Sequence, residues 1–278
     1  MALKDILVHV DHTDQGLRRL DAAVGLAAAH NAHLIALYVV GELRISGYGM
    51  LQIPEEIERQ HVAAVDAYSE RARSTFEERL RFAGINGEWR RATGDLVRTI
   101  ALHGRYVDIV IVGQRDPTGG SDVDELTVPD QLVLAVGRPV LVIPFAGEFP
   151  VIGERILVGW DASRLATRAV NDALLLMERA KQVIVLAVNP PGGARAEGGI
   201  PSADICVHLA RHGINAEAQH IVAEDMSIGD MLLTRAAEQG LDLVVTGAYG
   251  HARWREIVLG GVTRHMLKHM TIPVLMCH

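Results

Sequence analysis

Near its carboxyl end the chain reads Gly247-Ala248-Tyr249-Gly250, then nine residues from His251 to Leu259, then Gly260-Gly261-Val262-Thr263. A phosphate approaches backbone N–H groups closely only where no Cβ intervenes, and glycine also takes positive φ at little cost. Glycines at both ends of this segment therefore suit an anion held by main-chain donors. A helical pattern follows Gly260, and its N-terminus would add partial positive charge, so backbone donors can replace a lysine. Asp161 closes an apolar run elsewhere, and its carboxylate can accept hydrogen bonds from ribose hydroxyls or an adenine amine. Val188 closes another run and can offer a backbone contact to the base. The three places converge only if the runs are neighbouring strands of one sheet.

That condition turns on an internal repeat, which is best sought first because a missed repeat misassigns the whole fold. Ile6 to Asp11 (Ile-Leu-Val-His-Val-Asp) recurs as Ile156 to Asp161 (Ile-Leu-Val-Gly-Trp-Asp), and Asp108 to Gly113 recurs as Asp242 to Gly247. Gly84-Ile85 matches Gly213-Ile214, Gly94-Asp95 matches Gly229-Asp230, and the Pro-Val-Leu after Arg138 matches that after Ile272. The first copy has the longer middle, Gly47 to Val65 against Pro190 to Ser202. Two domains are expected, 1–146 and 151–278, joined by a brief Pro- and Gly-bearing linker over Phe145 to Pro150. Apolar runs such as Ile109–Val112, Val183–Val188 and Leu243–Val245 are short, β-branched and continuous, as parallel strands buried on both faces are. Leu17–Ala29, Ala166–Arg179 and Met231–Glu238 have helical period. The alternation predicts an α/β fold, two repeated open five-stranded parallel sheets with helices on both faces. Any ligand should sit at the carboxyl ends of the strands.

Composition narrows the function classes. The chain is 49% hydrophobic but only 4% aromatic, so its cores are aliphatic. A formal net charge of -7 argues against a nucleic-acid partner, which needs a cationic face. No apolar stretch reaches the ~18 residues of a spanning helix. The two cysteines, Cys206 and Cys277, form no CxxC pair and read as small apolar residues in a reducing compartment. With no export signal between Met1 and Val10, a cytoplasmic location is expected.

The pattern Gly-x2-Gly-x9-Gly, preceded by a strand and followed by a helix and a Pro-Val-Leu strand, resembles the universal stress protein family as a tandem pair covering essentially the whole chain. The resemblance implies strand order 3-2-1-4-5, pairing of the domains through their last strands, and binding of ATP or ADP, with or without Mg. Its base and ribose contacts fall on Asp161 and Val188. Its phosphate contacts fall on Gly247, Gly250, Gly260, Val262 and Thr263, together with Gly261, where the family's nucleotide-binding pattern carries Ser or Thr. The lost hydroxyl is a hydrogen bond of roughly 0.5 to 1.5 kcal/mol, up to about tenfold in affinity, which Thr263 can partly offset. The first copy departs further: after Gly113 the spaced glycines are lost and Asp116, Asp122, Asp124 and Glu125 appear, so that copy reads as a structural partner.

Other readings stay open. The glycines could simply turn the chain from strand to helix, and Asp161 could cap the following helix, a task Ser163 performs equally well. His265 and His269 share a helix face but have no third ligand at metal spacing, and His251 and Arg253 read as solvated loop residues. The functional expectation is a stress-response protein signalling through a nucleotide bound in the second domain. Its rivals are a scaffold with both sites empty and a slow hydrolase with Glu256 as base. The terminal strands Val140–Ile143 and Val274–Met276 would be exposed sheet edges unless they pair within the chain. Ile45, Met50, Leu51 and Ile53 in the longer middle could further support a homodimer of tandem chains.

Overall fold

Continuous β-branched runs offer no polar face to water, so each must be covered twice, and the chain does this with one layer of helices on either side of a sheet. The computed structural model describes residues 2–41, 55–115, 128–189, 202–222, 226–249 and 261–278. The first half runs β1 (Asp5–Val10), α1 (Asp14–His30), β2 (His33–Val40), α2 (Glu55–Ala83), β3 (Gly87–Thr93), α3 (Leu96–Gly104), β4 (Ile109–Gly113), α4 (Val128–Ala135) and β5 (Val140–Ile143). The second repeats it as β6 (Arg155–Gly159), α5 (Arg164–Met177), β7 (Gln182–Val188), α6 (Ala203–Arg211), β8 (Ala216–Ile221), α7 (Ile228–Glu238), β9 (Leu243–Gly247), α8 (Gly261–His269) and β10 (Val274–Cys277).

The strands form a single ten-stranded sheet in the order β3-β2-β1-β4-β5-β10-β9-β6-β7-β8. Each half is parallel and keeps the order 3-2-1-4-5. The halves meet at one antiparallel seam, where Val274, Leu275 and Met276 of β10 lie opposite Val142, Leu141 and Val140 of β5. The two strands whose edges the sequence leaves exposed thus cover each other. Residues alternate between the faces: Ile6 and Val8 belong to the apolar cluster on the face covered by α1, α2, α5 and α6, and Leu7 to the cluster on the face covered by α3, α4, α7 and α8. Both apolar clusters run through both halves, so the core is continuous across the seam.

The repeat extends to polar detail. Asp108 accepts from the N–H groups of Lys4 and Asp5 at 2.6 and 3.1 Å, and Asp242 accepts from those of Gly153 and Arg155 at 2.6 and 2.9 Å. In each half a carboxylate before the fourth strand fixes the start of the first. The matching of Gly94-Asp95 with Gly229-Asp230 is corrected. Asp95 is the N-cap of α3, but the N-cap of α7 is Ser227, which places Gly229 and Asp230 inside the helix. Gly250, Gly260 and the four carboxylates after Gly113 lie outside the described residues, as do Ile45, Met50, Leu51, Ile53, His251, Arg253 and Glu256. Among the described residues no helix is long and apolar enough to cross a membrane.

Candidate functional site

In each half the strand order reverses beside the first strand, and connections leave that point toward opposite faces of the sheet, opening a crevice at the strands' carboxyl ends. In the second half, between β6, β7 and β9, the crevice is a cleft of about 210 Å³. Asp161, Val188, Gly247, Gly261, Val262 and Thr263 all line it. Six positions scattered over more than a hundred residues of sequence therefore meet in one concavity, with the first turn of α8 as one wall. Sequence reasoning missed the apolar walls, Trp160, Leu186, Ile228 and Leu232. A signal for Trp160 was present in its place beside Asp161 at the end of a strand; Ile228 and Leu232 sit on the inner face of α7 and offered none.

Local geometry settles which groups are free to act. Ser163 is the N-cap of α5, its Oγ accepting from the Ala166 N–H at 3.1 Å. Asp161 is not the cap. Its Oδ1 accepts from the Ser163 N–H at 2.9 Å, which shapes the turn, and among the described residues its exposed carboxylate bonds nothing else. A Cβ on Gly247 would sit 2.6 Å from the Leu165 carbonyl carbon and 2.8 Å from the Ala166 nitrogen. This glycine is therefore required by the approach of α5, whatever the cleft holds. Gly261 differs, since among the described residues nothing lies within 4 Å of where its Cβ would be. The buried Thr263 hydroxyl accepts from the Tyr249 N–H at 3.2 Å, joining α8 to the end of β9 while leaving its own proton to donate.

The first half builds the same turn but uses it otherwise. Thr13 caps α1, and Asp11 accepts from the Thr13 N–H at 2.9 Å, as Asp161 does from Ser163. Its second oxygen is taken by Arg19, at 2.7 Å, on a residue only 4% exposed. Arg19 Nε also donates to the His9 carbonyl at 2.6 Å, and its Nη1 lies over Gly113, 2.4 Å from where a Cβ would be. Arg19 corresponds to Ala169 and His9 to Gly159, so two larger side chains fill this crevice. Burial opposes ionisation of Asp11, but Arg19 and the hydrogen bonds from Thr13 and Arg19 outweigh it and bring the carboxyl down to about 2. Burial, and then the neighbouring Arg19, push the His9 imidazole down to about 3.

The sequence profile of the universal stress protein family matches residues 2–144 and again 153–278. The chain belongs to the universal stress protein family. A universal stress protein of Synechocystis sp. is 24% identical, the alignment covering 98% of this chain and 99% of that one. Among solved structures, a universal stress protein of Archaeoglobus fulgidus DSM 4304 superposes with TM-score 0.74 at 16% identity, over 98% of this chain and 97% of the other. A putative universal stress protein of Pseudomonas aeruginosa UCBPP-PA14 gives TM-score 0.61 at 16% identity, over 99% and 93%. These two likenesses show the fold, the tandem arrangement included. In this universal stress protein the rings of His265 and His269 lie 4.2 Å apart, and His265 Nε2 lies 2.6 Å from Asp230 Oδ1, bridging α8 to α7. Among the described residues no group of three or more His, Cys, Asp or Glu could hold a metal. Burial raises both thiols: Cys277 is fully enclosed, and Cys206 is half-buried.

Proposed function

We propose that the second domain binds an adenine nucleotide, ATP or ADP, and that the protein is a cytoplasmic regulator in a stress response whose first domain holds no nucleotide. The observation carrying this reading is the cleft between β6, β7 and β9, which gathers Asp161, Val188, Gly247 and the Gly261–Thr263 turn. The arrangement suits the parts of the ligand separately. The free carboxylate of Asp161 accepts from the ribose, the apolar walls and the end of β7 take the base, and the N–H groups opening α8 face the phosphates. Magnesium, where present, would ride on the phosphates, since Asp161 is the ribose partner. The Asp11–Arg19 pair in the first domain supports a one-site stoichiometry, because it occupies the corresponding carboxylate.

Isothermal titration of the full chain should give about one ATP per chain. Asp161→Ala should weaken binding about tenfold or more, the loss of a charge-assisted hydrogen bond. Because among the described residues that carboxylate supports only the turn at Ser163, the variant should remain folded. No heat of binding at millimolar ATP would reject the assignment in favour of a scaffold with two empty sites. Phosphate release that vanished in Glu256→Ala would add hydrolysis to binding.

A further inference from the structure

The cleft of the second domain is not built by that domain alone. Tyr249, which lines it, has φ 65, a left-handed conformation uncommon for a residue with a large side chain. Such a backbone persists only where the surroundings over-determine it. One tie is the bond from its N–H to Thr263. The other crosses the molecule: the Tyr249 hydroxyl donates to Asp130 Oδ1 at 2.7 Å, and Asp130 lies in the first turn of α4, in the first domain. Both side chains are buried, Tyr249 6% and Asp130 4% exposed. The other end of the wall is fastened from the same side. Gln114, which follows β4, donates from Nε2 to the Leu267 carbonyl of α8 at 2.9 Å, while its Oε1 accepts from the Phe145 N–H at 3.0 Å.

These ties are asymmetric. A seam between two similar domains should repeat each contact about its pseudo-twofold axis. The repeat places Ala248 opposite Gln114 and Arg115 opposite Tyr249, so the second copy has no amide to hold α4 and the first has no phenol at this point. Both contacts run from first-domain residues to the elements that wall the second domain's cleft. We infer that the first domain sets the geometry of the second domain's nucleotide site, with Asp130 a positioning residue that acts through Tyr249. The inference rests on the nucleotide reading of that cleft. Its consequence is reciprocal by linkage: whatever Asp130 contributes to nucleotide affinity, the nucleotide returns as a constraint on α4. The first domain, its own crevice filled, becomes the element that senses occupancy.

The test compares ATP affinity, by titration of the full chain, for the wild type, Tyr249→Phe, Asp130→Ala, the double variant and Asp130→Asn. Amide exchange without ligand is followed alongside. Tyr249→Phe should weaken ATP binding by about three- to tenfold, the worth of one hydrogen bond, and Asp130→Ala by at least as much. The double variant should be no weaker than the worse single one, because both lose the same bond. Asp130→Asn keeps an acceptor and should bind within about twofold of the wild type. In Asp130→Ala without ligand, the Tyr249 and Thr263 amides should exchange faster while those of β6 do not. Wild-type affinity in Asp130→Ala, or additive losses in the double variant, would overturn the inference. A wild type that binds no ATP would overturn the nucleotide reading instead; unchanged exchange at Tyr249 and Thr263 would overturn the anchoring in either case.

Discussion

The glycines of the second domain look alike in sequence and answer to different forces. At Gly247 the obstacle to a side chain is the α5 backbone at Leu165 and Ala166, which cannot rotate away as a side-chain tip can. Gly247→Ala should therefore cost about 1 to 3 kcal/mol of stability, the usual range for overpacking, read as a lower urea midpoint. An unchanged midpoint would show that α5 can retreat. Gly261 opens the helix α8 and, among the described residues, has open space where its Cβ would be, so a serine fits. Gly261→Ser should return a hydroxyl to the first turn of α8 and tighten ATP binding about three- to tenfold, with the urea midpoint nearly unmoved. Equal or weaker binding would mean that the position does not face the phosphates. The spacing of the glycines was legible in the sequence. Which of them packing demands was not, because the atoms that collide with Gly247 belong to a helix far away along the chain.

At the scale of elements, α1 and α5 are equivalent helices that do opposite things to equivalent crevices. The order of strands and helices, their approximate ends and the matching of Asp11 with Asp161 could all be read from periodicity and repetition. Arg19 could not, since in Leu17-Arg18-Arg19-Leu20 it reads as a surface residue, and only the docking of α1 on β1 turns it inward. The acidic loop after Gly113 was thus not the only reason to doubt a first nucleotide site. Arg19→Ala would strand Asp11. Breaking a fully buried pair costs about 3 to 5 kcal/mol, and with the Asp11 side chain 30% exposed about 2 kcal/mol is expected in denaturant titration. The same elements predict an acid sensitivity. His9 is held at about 3, by burial and then Arg19, and the buried His30 at about 4, by burial and then Arg179, so both are neutral in the folded protein. The unfolded chain takes up these protons near pH 6.5, so stability is full above that value and falls as the pH drops below it. At pH 5 each of these two histidines should cost about 2 kcal/mol, and His9→Gln or His30→Gln should each make the slope between pH 7 and pH 5 clearly shallower. Stability that stayed flat across that window would mean both rings can protonate in place.

On the scale of the whole molecule the seam makes one body of two repeats, and it can be opened by dividing the chain. The pairing of β5 with β10 buries Leu141, Val142, Val274 and Leu275 completely, so neither half alone can leave that edge in water without cost. Residues 151–278 expressed alone should therefore associate as a dimer in which β10 pairs antiparallel with its twin, a contact already close to self-complementary in the intact chain. That dimer would restore the covered edge but not the cleft, because the twin offers Arg264, a donor, where α4 offers the acceptor Asp130, and Ala248 where the first domain offers Gln114. Light scattering should thus report a dimer whose ATP affinity is about tenfold below that of the full chain, the loss of roughly one buried hydrogen bond. Adding residues 2–146 in trans should convert part of it to a one-to-one complex with restored affinity. A monomeric second half that bound ATP as the full chain does would show that the seam only joins the domains. Recovery with residues 2–146 but not with their Asp130→Ala variant would show that one carboxylate on α4 ties the two repeats into a single functional unit.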